Sequence, residues 1–307
     1  MNFIHVVTCS FLKKGIADVG SKIKHKDMKK AKNNITDWLD KYGTKEMKEQ
    51  IEKELFYNKI FNENCLDTMA KMEDNFIDLT VTSPPYDDLR TYNGYSFPFE
   101  DIAKELYRTT KEGGVVVWVI ADGTKNGSES GTSFRQALYF MECGFKLHDT
   151  MIYKKKRIVP LTHKRYEQGF EYMFVFVKGK LKTFNPIKVP CKYAGTETWG
   201  NPTFHKTNSS GLVAVDKKTI NDFKQKENVW EYLNAKDKVF KHPAPFSEEL
   251  VNDHIISWSN ENELVYDPFM GSGTTAKMAK INNRNWIGSE ISKEYCSIIS
   301  ARVSALF

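Results

Sequence analysis

The run Phe76-Ile-Asp-Leu-Thr-Val-Thr-Ser-Pro-Pro-Tyr86 passes from apolar residues to a polar, proline-stiffened, aromatic tip. Ile77, Leu79 and Val81 read as a buried strand, and Pro84-Pro85 must end it, because neither proline can donate a ladder hydrogen bond. Two prolines in succession also fix φ and push Ser83 into an extended shape. The carbonyls of Ser83 and Pro84 are therefore held in preset directions with little entropy left to lose. Ser83, Pro84, Pro85 and Tyr86 make a rigid acceptor array beside an aromatic ring. That array suits a planar group carrying an NH2, whose protons go to hydroxyl and carbonyl oxygens while Tyr86 stacks on its face. An ordinary strand-terminating turn with a buried tyrosine would be spelled in the same four letters.

A second constellation lies far along the chain. Asp267-Pro-Phe-Met-Gly-Ser-Gly-Thr-Thr275 reads as a strand-to-helix turn in which Gly271 and Gly273 let a ligand lie against bare backbone. It is not a phosphate-binding P-loop, since no lysine follows the glycines, and it lacks the third glycine of a dinucleotide fingerprint. Glu290, at the tip of the next strand, stands where a carboxylate would accept hydrogen bonds from ribose hydroxyls. Together these point to an adenosine-containing ligand, a plain turn with a surface glutamate being the alternative.

The elements that must position both sites alternate between strand and helix. Segments near 57–63, 76–81, 115–120, 146–153, 171–177, 264–266 and 285–288 read as strands. Helical stripes run through Ile102, Ala103, Leu106 and Tyr107, ended by Gly113-Gly114, and through Phe134, Ala137, Leu138 and Met141, closed by Gly144. Ser247 is expected to cap a helix bearing Leu250, Ile255 and Trp258. The alternation predicts an α/β fold: a mostly parallel sheet covered by helices on both faces. Four regions follow: a basic, helical N-terminal extension over 1–56, a catalytic half over 57–179, a recognition region over 180–240, and a cofactor half over 241–307. The recognition region breaks the rhythm, with Trp199, Trp230 and many Lys and Asn residues, and reads as a separate lobe rather than more sheet.

With 307 residues, 40% hydrophobic and 27% charged, the chain has the composition of an ordinary globular protein, and its net charge of +6 is compatible with a polyanionic partner. The basic cluster Lys154, Lys155, Lys156 and Arg157, with Lys164 and Arg165, is a candidate for backbone phosphate contact, a solvated surface being the default. The 5 cysteines are scattered, without metal-ligand or redox spacing, so neither zinc nor disulfides are expected and the compartment reads as cytoplasmic. No stretch reads as a membrane span.

Both constellations, in this order, resemble the bacterial and phage amino-methylating DNA methyltransferases of the permuted beta arrangement, with a Rossmann-like fold. The resemblance is carried by Thr82-Ser-Pro-Pro-Tyr86, Asn228-Val-Trp230, His242-Pro-Ala-Pro-Phe-Ser-Glu-Glu-Leu250, Asp267–Thr275 and Trp286-Ile-Gly-Ser-Glu290, and spans roughly residues 57 to 303. It implies S-adenosyl-L-methionine as cofactor, double-stranded DNA as substrate and, as companion, a restriction endonuclease acting on the same site. It also implies that Ser83 to Tyr86 form the base pocket and that Tyr153 sandwiches the flipped base. Asp267, Phe269, Gly271, Ser272, Gly273, Thr274 and Thr275 would line the methionine end, Glu290 would hold the ribose, and His242 and Phe246 would lean on the cofactor from the other side. Where many relatives carry an acid near the adenine, this chain has Asn64, which can still accept from an exocyclic amine.

Serine in the first loop position resembles the branch that methylates cytosine N4, with adenine N6 as the alternative. Carbon-5 methylation would need a thiolate, and Pro190-Cys191 falls outside the expected sheet. A nucleotide-dependent dehydrogenase would leave Ser83 to Tyr86 idle, and a catalytically silent DNA-binding protein would need only the basic face.

Overall fold

A computed structural model describes residues 53, 55–85, 97–156, 164–197, 203–205, 212–214, 218–233 and 246–306. The chain divides into two compact units, Met1–Tyr57 and Asn58–Phe307, and the elements below belong to the second. Most of the helical N-terminal extension expected over 1–56 lies outside the described residues, as do Tyr86, Arg157 and His242.

In chain order the elements are β1 (Lys59–Phe61), α1 (Cys65–Met69), β2 (Ile77–Thr82), α2 (Phe99–Thr109), β3 (Thr110–Ile120), β4 (Thr124–Lys125), β5 (Ser128–Glu129), α3 (Thr132–Glu142), β6 (Lys146–Lys155), β7 (Phe170–Val177), β8 (Lys188–Pro190), β9 (Thr203–His205), β10 (Leu212–Ala214), β11 (Phe223–Gln225), β12 (Val229–Tyr232), α4 (Glu248–Trp258), β13 (Leu264–Asp267), α5 (Thr274–Ile281), β14 (Asn285–Ser289) and α6 (Lys293–Ser304). Eight strands form the central sheet in the order β1-β14-β13-β2-β3-β7-β6-β12. The first five are mutually parallel, β7 runs antiparallel to both neighbours, and β12 is parallel to β6. The last two strands of the cofactor half thus insert between β1 and β2, so the catalytic and cofactor halves share one sheet.

A strand covered on both faces buries side chains in both directions: all six residues of β2 are buried, Ile77, Leu79 and Val81 alternating with Asp78, Thr80 and Thr82. Along β3, Val115, Val117 and Val119 join a core with α4, α5 and α6 through Leu250, Ile255, Ala276 and Ile299. On the opposite face Trp118 meets Phe140 of α3 edge-on at 5.1 Å and Phe99 of α2 at 6.0 Å. His254 of α4 is fully buried: it accepts from Trp258 Nε1 at 3.1 Å through Nδ1 and lies 4.7 Å from the Trp230 ring.

Four expectations are corrected. Gly113-Gly114 does not end α2, which stops at Thr109; the pair lies inside β3, where a Cβ on Gly114 would come within 3.0 Å of the Asp78 carbonyl and one on Gly113 within 2.7 Å of Lys182. Close backbone approach, not helix termination, requires these glycines. The stripe of α3 is rotated: Ser133, Gln136, Ala137 and Phe140 are buried, while Phe134, Leu138 and Met141 are 52%, 60% and 44% exposed. A buried hydrogen bond from Trp118 Nε1 to Gln136 Oε1, 2.8 Å, fixes that rotation, and hydrophobic spacing does not register it. Ser247 occupies the N-cap of α4 but makes no side-chain cap bond. The region after residue 180 is not wholly separate from the sheet, because β12 extends it beside β6.

Candidate active site

Parallel strands end on one edge, and the antiparallel β7 begins there. Asn64 follows β1, Glu290 follows β14, Asp267 ends β13, Ser83 follows β2 and Tyr153 lies near the end of β6, so all five share that edge. β14, β13 and β2 are adjacent, and two strand spacings are about 10 Å. The acceptor tip and the downstream carboxylate, more than 200 residues apart in sequence, therefore flank one turn. Pro84 is buried, with Ser83 and Pro85 half-buried.

That turn is the glycine segment. Gly271 and Gly273 have φ of 52° and 84°, the left-handed region that glycine adopts without strain. At Gly273 a Cβ would also stand 2.9 Å from Ile299 of α6, so helix and turn pack through the missing side chain. Arg302 of α6 donates to the Ser272 carbonyl at 2.8 Å and to its hydroxyl at 3.3 Å, and also pairs with Glu248, which Lys277 holds from the other side at 2.7 Å. Ser272, Thr274 and Thr275 are buried, so their side chains hold the turn from behind, while Gly271 and Phe269 are the partly open positions. The Phe269 ring meets Phe97 at 5.6 Å and Trp118 at 6.2 Å.

Asp267 is 2% exposed, and both its oxygens are engaged. Oδ1 accepts from Thr82 Oγ1 at 2.7 Å and from the Phe269 amide at 3.0 Å, and Oδ2 accepts from Thr275 Oγ1 at 2.7 Å. Burial pushes the carboxyl up to about 6, against these donors, which favour the charged form. With a folded value above the ordinary 3.8, its contribution to stability is complete below that value and disappears as pH rises through about 6. His254 has the opposite sign: burial, followed by the Lys226 charge, lowers it from 6.5 to about 3, so its contribution is full above 6.5 and is lost as pH falls. The two offset one another between about pH 4 and 6. Asp267→Asn removes only the first, so against the parent it should lose about 2 kcal/mol more unfolding free energy at pH 4 than at pH 7. Urea denaturation at the two pH values measures this, and an equal difference at both would refute it.

Glu290 is half-buried, and burial raises its carboxyl. Oε2 accepts from the Gly271 amide at 2.9 Å and Oε1 from the Ser292 amide at 2.8 Å, which orients the group and leaves each oxygen a second lone pair. Asn62 locks the same tip by donating to the carbonyls of Glu290 and Ile291 at 2.9 and 3.0 Å. Asn64 caps α1, its Oδ1 accepting from the Leu66 amide at 2.9 Å, so the oxygen expected to meet an amine already has one partner.

Tyr153 is 7% exposed, packed 6.2 Å from Tyr232 within the core, and burial pushes its phenol up to about 12. Phe246 rests half-buried against the same core. Of the basic run, Lys154 pairs with Glu231 at 2.7 Å, Lys155 with Glu171 at 2.8 Å and Arg165 with Glu129 at 3.6 Å. Lys156 and Lys164 are exposed. Thr82, Asn62 and Arg302 were not expected to serve the site. Thr82 stands at the head of the motif, whereas nothing in the spacing of Arg302 points to Ser272.

Residues 77–301 match the model of the N6/N4 DNA methylase family. The orphan methyltransferase M.BamHII of Bacillus amyloliquefaciens is 54% identical over 239 residues, which cover 74% of this chain and 88% of that protein. The type II methyltransferase M.BglII of Bacillus subtilis is 29% identical over 259 residues, covering 78% and 67%. Among solved structures, the cytosine-N4-specific PvuII DNA methyltransferase aligns with a TM-score of 0.61 at 19% identity over 79% of this chain and 85% of its own. The complex of M1.HpyAVI with SAM aligns with a TM-score of 0.54 at 23% identity over 80% and 98%. At such identities the structural likeness is one of fold, whereas the family match spans most of the chain. The chain thus belongs to the N6/N4 DNA methylase family and is an S-adenosylmethionine-dependent DNA methyltransferase.

Proposed function

We propose that the chain methylates the exocyclic N4 amine of a cytosine rotated out of double-stranded DNA. The observation that carries this reading is the adjacency of β2 and β13, which opens the acceptor oxygens after Thr82 and the glycine turn after Asp267 on one edge of the sheet. The turn fits S-adenosylmethionine: Gly271 keeps a bare backbone beside Glu290, whose remaining lone pairs suit two ribose hydroxyls, and Phe269 is partly exposed on the same turn. When bound, the cofactor supplies an electrophilic methyl on a positively charged sulfonium.

The chain's own residues supply the rest. The amine's lone pair is delocalised into the ring; Ser83 Oγ and the Pro84 carbonyl, accepting hydrogen bonds from its two N–H groups, localise that pair and aim it, and once the methyl is on nitrogen one of those N–H protons leaves to solvent. Direct transfer then needs alignment within about 3 to 3.5 Å and a dry pocket, with no covalent enzyme intermediate. Rotating the base out of the duplex costs roughly a few kcal/mol, which stacking on Tyr86 helps offset. Tyr153 is the second ring proposed to flank the base. Lys156 and Lys164, with Arg157, are the cations proposed for phosphates, since the others of that run carry acidic partners. Residues 180–240 are assigned the reading of base edges.

Serine at the head of the loop favours cytosine over adenine. Methylating DNA with labelled cofactor, digesting it to nucleosides and identifying the product by mass spectrometry should give N4-methylcytosine; N6-methyladenine would overturn the choice of base. A restriction endonuclease sharing the site is the expected companion, although one relative is named an orphan.

A further inference from the structure

The backbone ladder between β2 and β13 pairs Leu79 with Val265 and Thr80 with Tyr266, and goes no further. β2 nevertheless continues to Thr82, still paired with Trp118 of β3, and β13 continues to Asp267, still paired with Gly288 of β14. The two strands thus part where the edge opens between them. What spans the opening is side chain: Thr82 Oγ1 to Asp267 Oδ1 and Thr275 Oγ1 to Asp267 Oδ2, each 2.7 Å, with Thr275 Oγ1 also 3.4 Å from the Val81 carbonyl. Thr82 and Thr275 are fully buried. A buried carboxylate with two hydroxyl donors and one amide is a stiff link, because losing any donor leaves charge undersatisfied in a low-dielectric site.

The chemistry lies directly beyond this link. Ser83 follows Thr82 in the chain, and the Phe269 amide, also on Asp267, belongs to the turn. We propose that Thr82, Asp267 and Thr275 form a positioning bridge that sets the distance between the amine-accepting tip and the cofactor turn, Thr82 acting through Ser83 without touching either substrate. This rests on the reading of Ser83 as the amine acceptor but not on which base is methylated. A displacement of well under 1 Å at Ser83 degrades alignment while leaving each half-site able to bind its own ligand.

The test compares two substitutions of opposite character. Thr82→Val keeps shape and removes the hydroxyl; Thr82→Ser keeps the hydroxyl and removes the methyl. Incorporation of labelled methyl into DNA, counted without regard to the base, should show kcat falling about 10-fold in Thr82→Val, with the Kd for S-adenosylmethionine and the KM for DNA within about 2-fold of the parent, and Thr82→Ser within about 3-fold on all three. Thr275→Val should lose kcat similarly, and the double valine variant should lose much less than the product of the two, because either change already breaks the bridge. Should Thr82→Val fail to fold, Thr82→Cys replaces it, a thiol being a weak donor. An unchanged kcat in the donor-less variant, activity that follows shape rather than the hydroxyl, or multiplicative losses would each overturn the bridge. Failure of the cytosine reading would appear separately, as N6-methyladenine in the parent's product.

Discussion

Replacing Ser83 by alanine is expected to lower kcat for methyl transfer to DNA by about 100-fold, with little change in the Kd for S-adenosylmethionine or in thermal stability. The loss follows from what an exocyclic amine needs: its protons must go to fixed acceptors while the lone pair is aimed. Pro84, whose carbonyl is the second proposed acceptor, is buried and remains in place, so the variant retains part of the proposed array. Acceptors positioned before the base arrives incur no reorganisation cost at the moment of transfer, and water in the vacated space has no such fixed direction. Stability should hold because Ser83 lies beyond the last residue of β2, outside the ladder. Single-turnover transfer alongside calorimetric cofactor titration measures both parts. A parent-like single-turnover rate would remove Ser83 from the chemistry, and a large change in cofactor affinity would move it to the other half of the site.

The second large effect is expected at Glu290. Glu290→Ala should raise the Kd for S-adenosylmethionine by about 100-fold, as two charge-assisted bonds to hydroxyls are worth roughly 3 kcal/mol after desolvation. The alanine also abandons the amides of Gly271 and Ser292, so the turn itself loosens. Glu290→Gln separates these contributions. A carboxamide offers one oxygen where the carboxylate offers two, and its NH2 would face a backbone N–H, so Gln should recover only a small part of the affinity. Isothermal titration with the cofactor decides the matter: equal binding by parent, Gln and Ala proteins would exclude Glu290 from the ribose. Burial raises the carboxyl, so affinity should also weaken as acid protonates it, and Glu290→Ala should lack that pH dependence.

The seven central-sheet strands of the catalytic and cofactor halves, both motifs and the family were legible in the sequence because they are local, whereas β12 was not. The buried run Phe76–Val81, the proline stop and the Gly271–Gly273 turn follow from backbone sterics and hydrophobic periodicity, which neighbouring residues alone dictate. The rotation of α3 was not legible: Phe134, Leu138 and Met141 have the spacing of a core stripe, yet the Gln136–Trp118 bond turns them outward. The ion pairs of the basic run were not legible, since a run of lysines does not reveal that Glu171 and Glu231 face two of them across adjacent strands.

The sequence alone determined the chemical kinds available: oxygen acceptors held by prolines, a glycine turn without a phosphate-binding lysine, and an acid one strand later. Only the tertiary structure decided that these stand at the same end of adjacent strands. Inserting β13 and β14 between β1 and β2 makes neighbours of residues separated by most of the chain. It also joins Asp267 to Thr82, a pairing that no local rule encodes, because a hydrogen bond across 185 positions depends on strand order and on nothing either residue shares with its own neighbours.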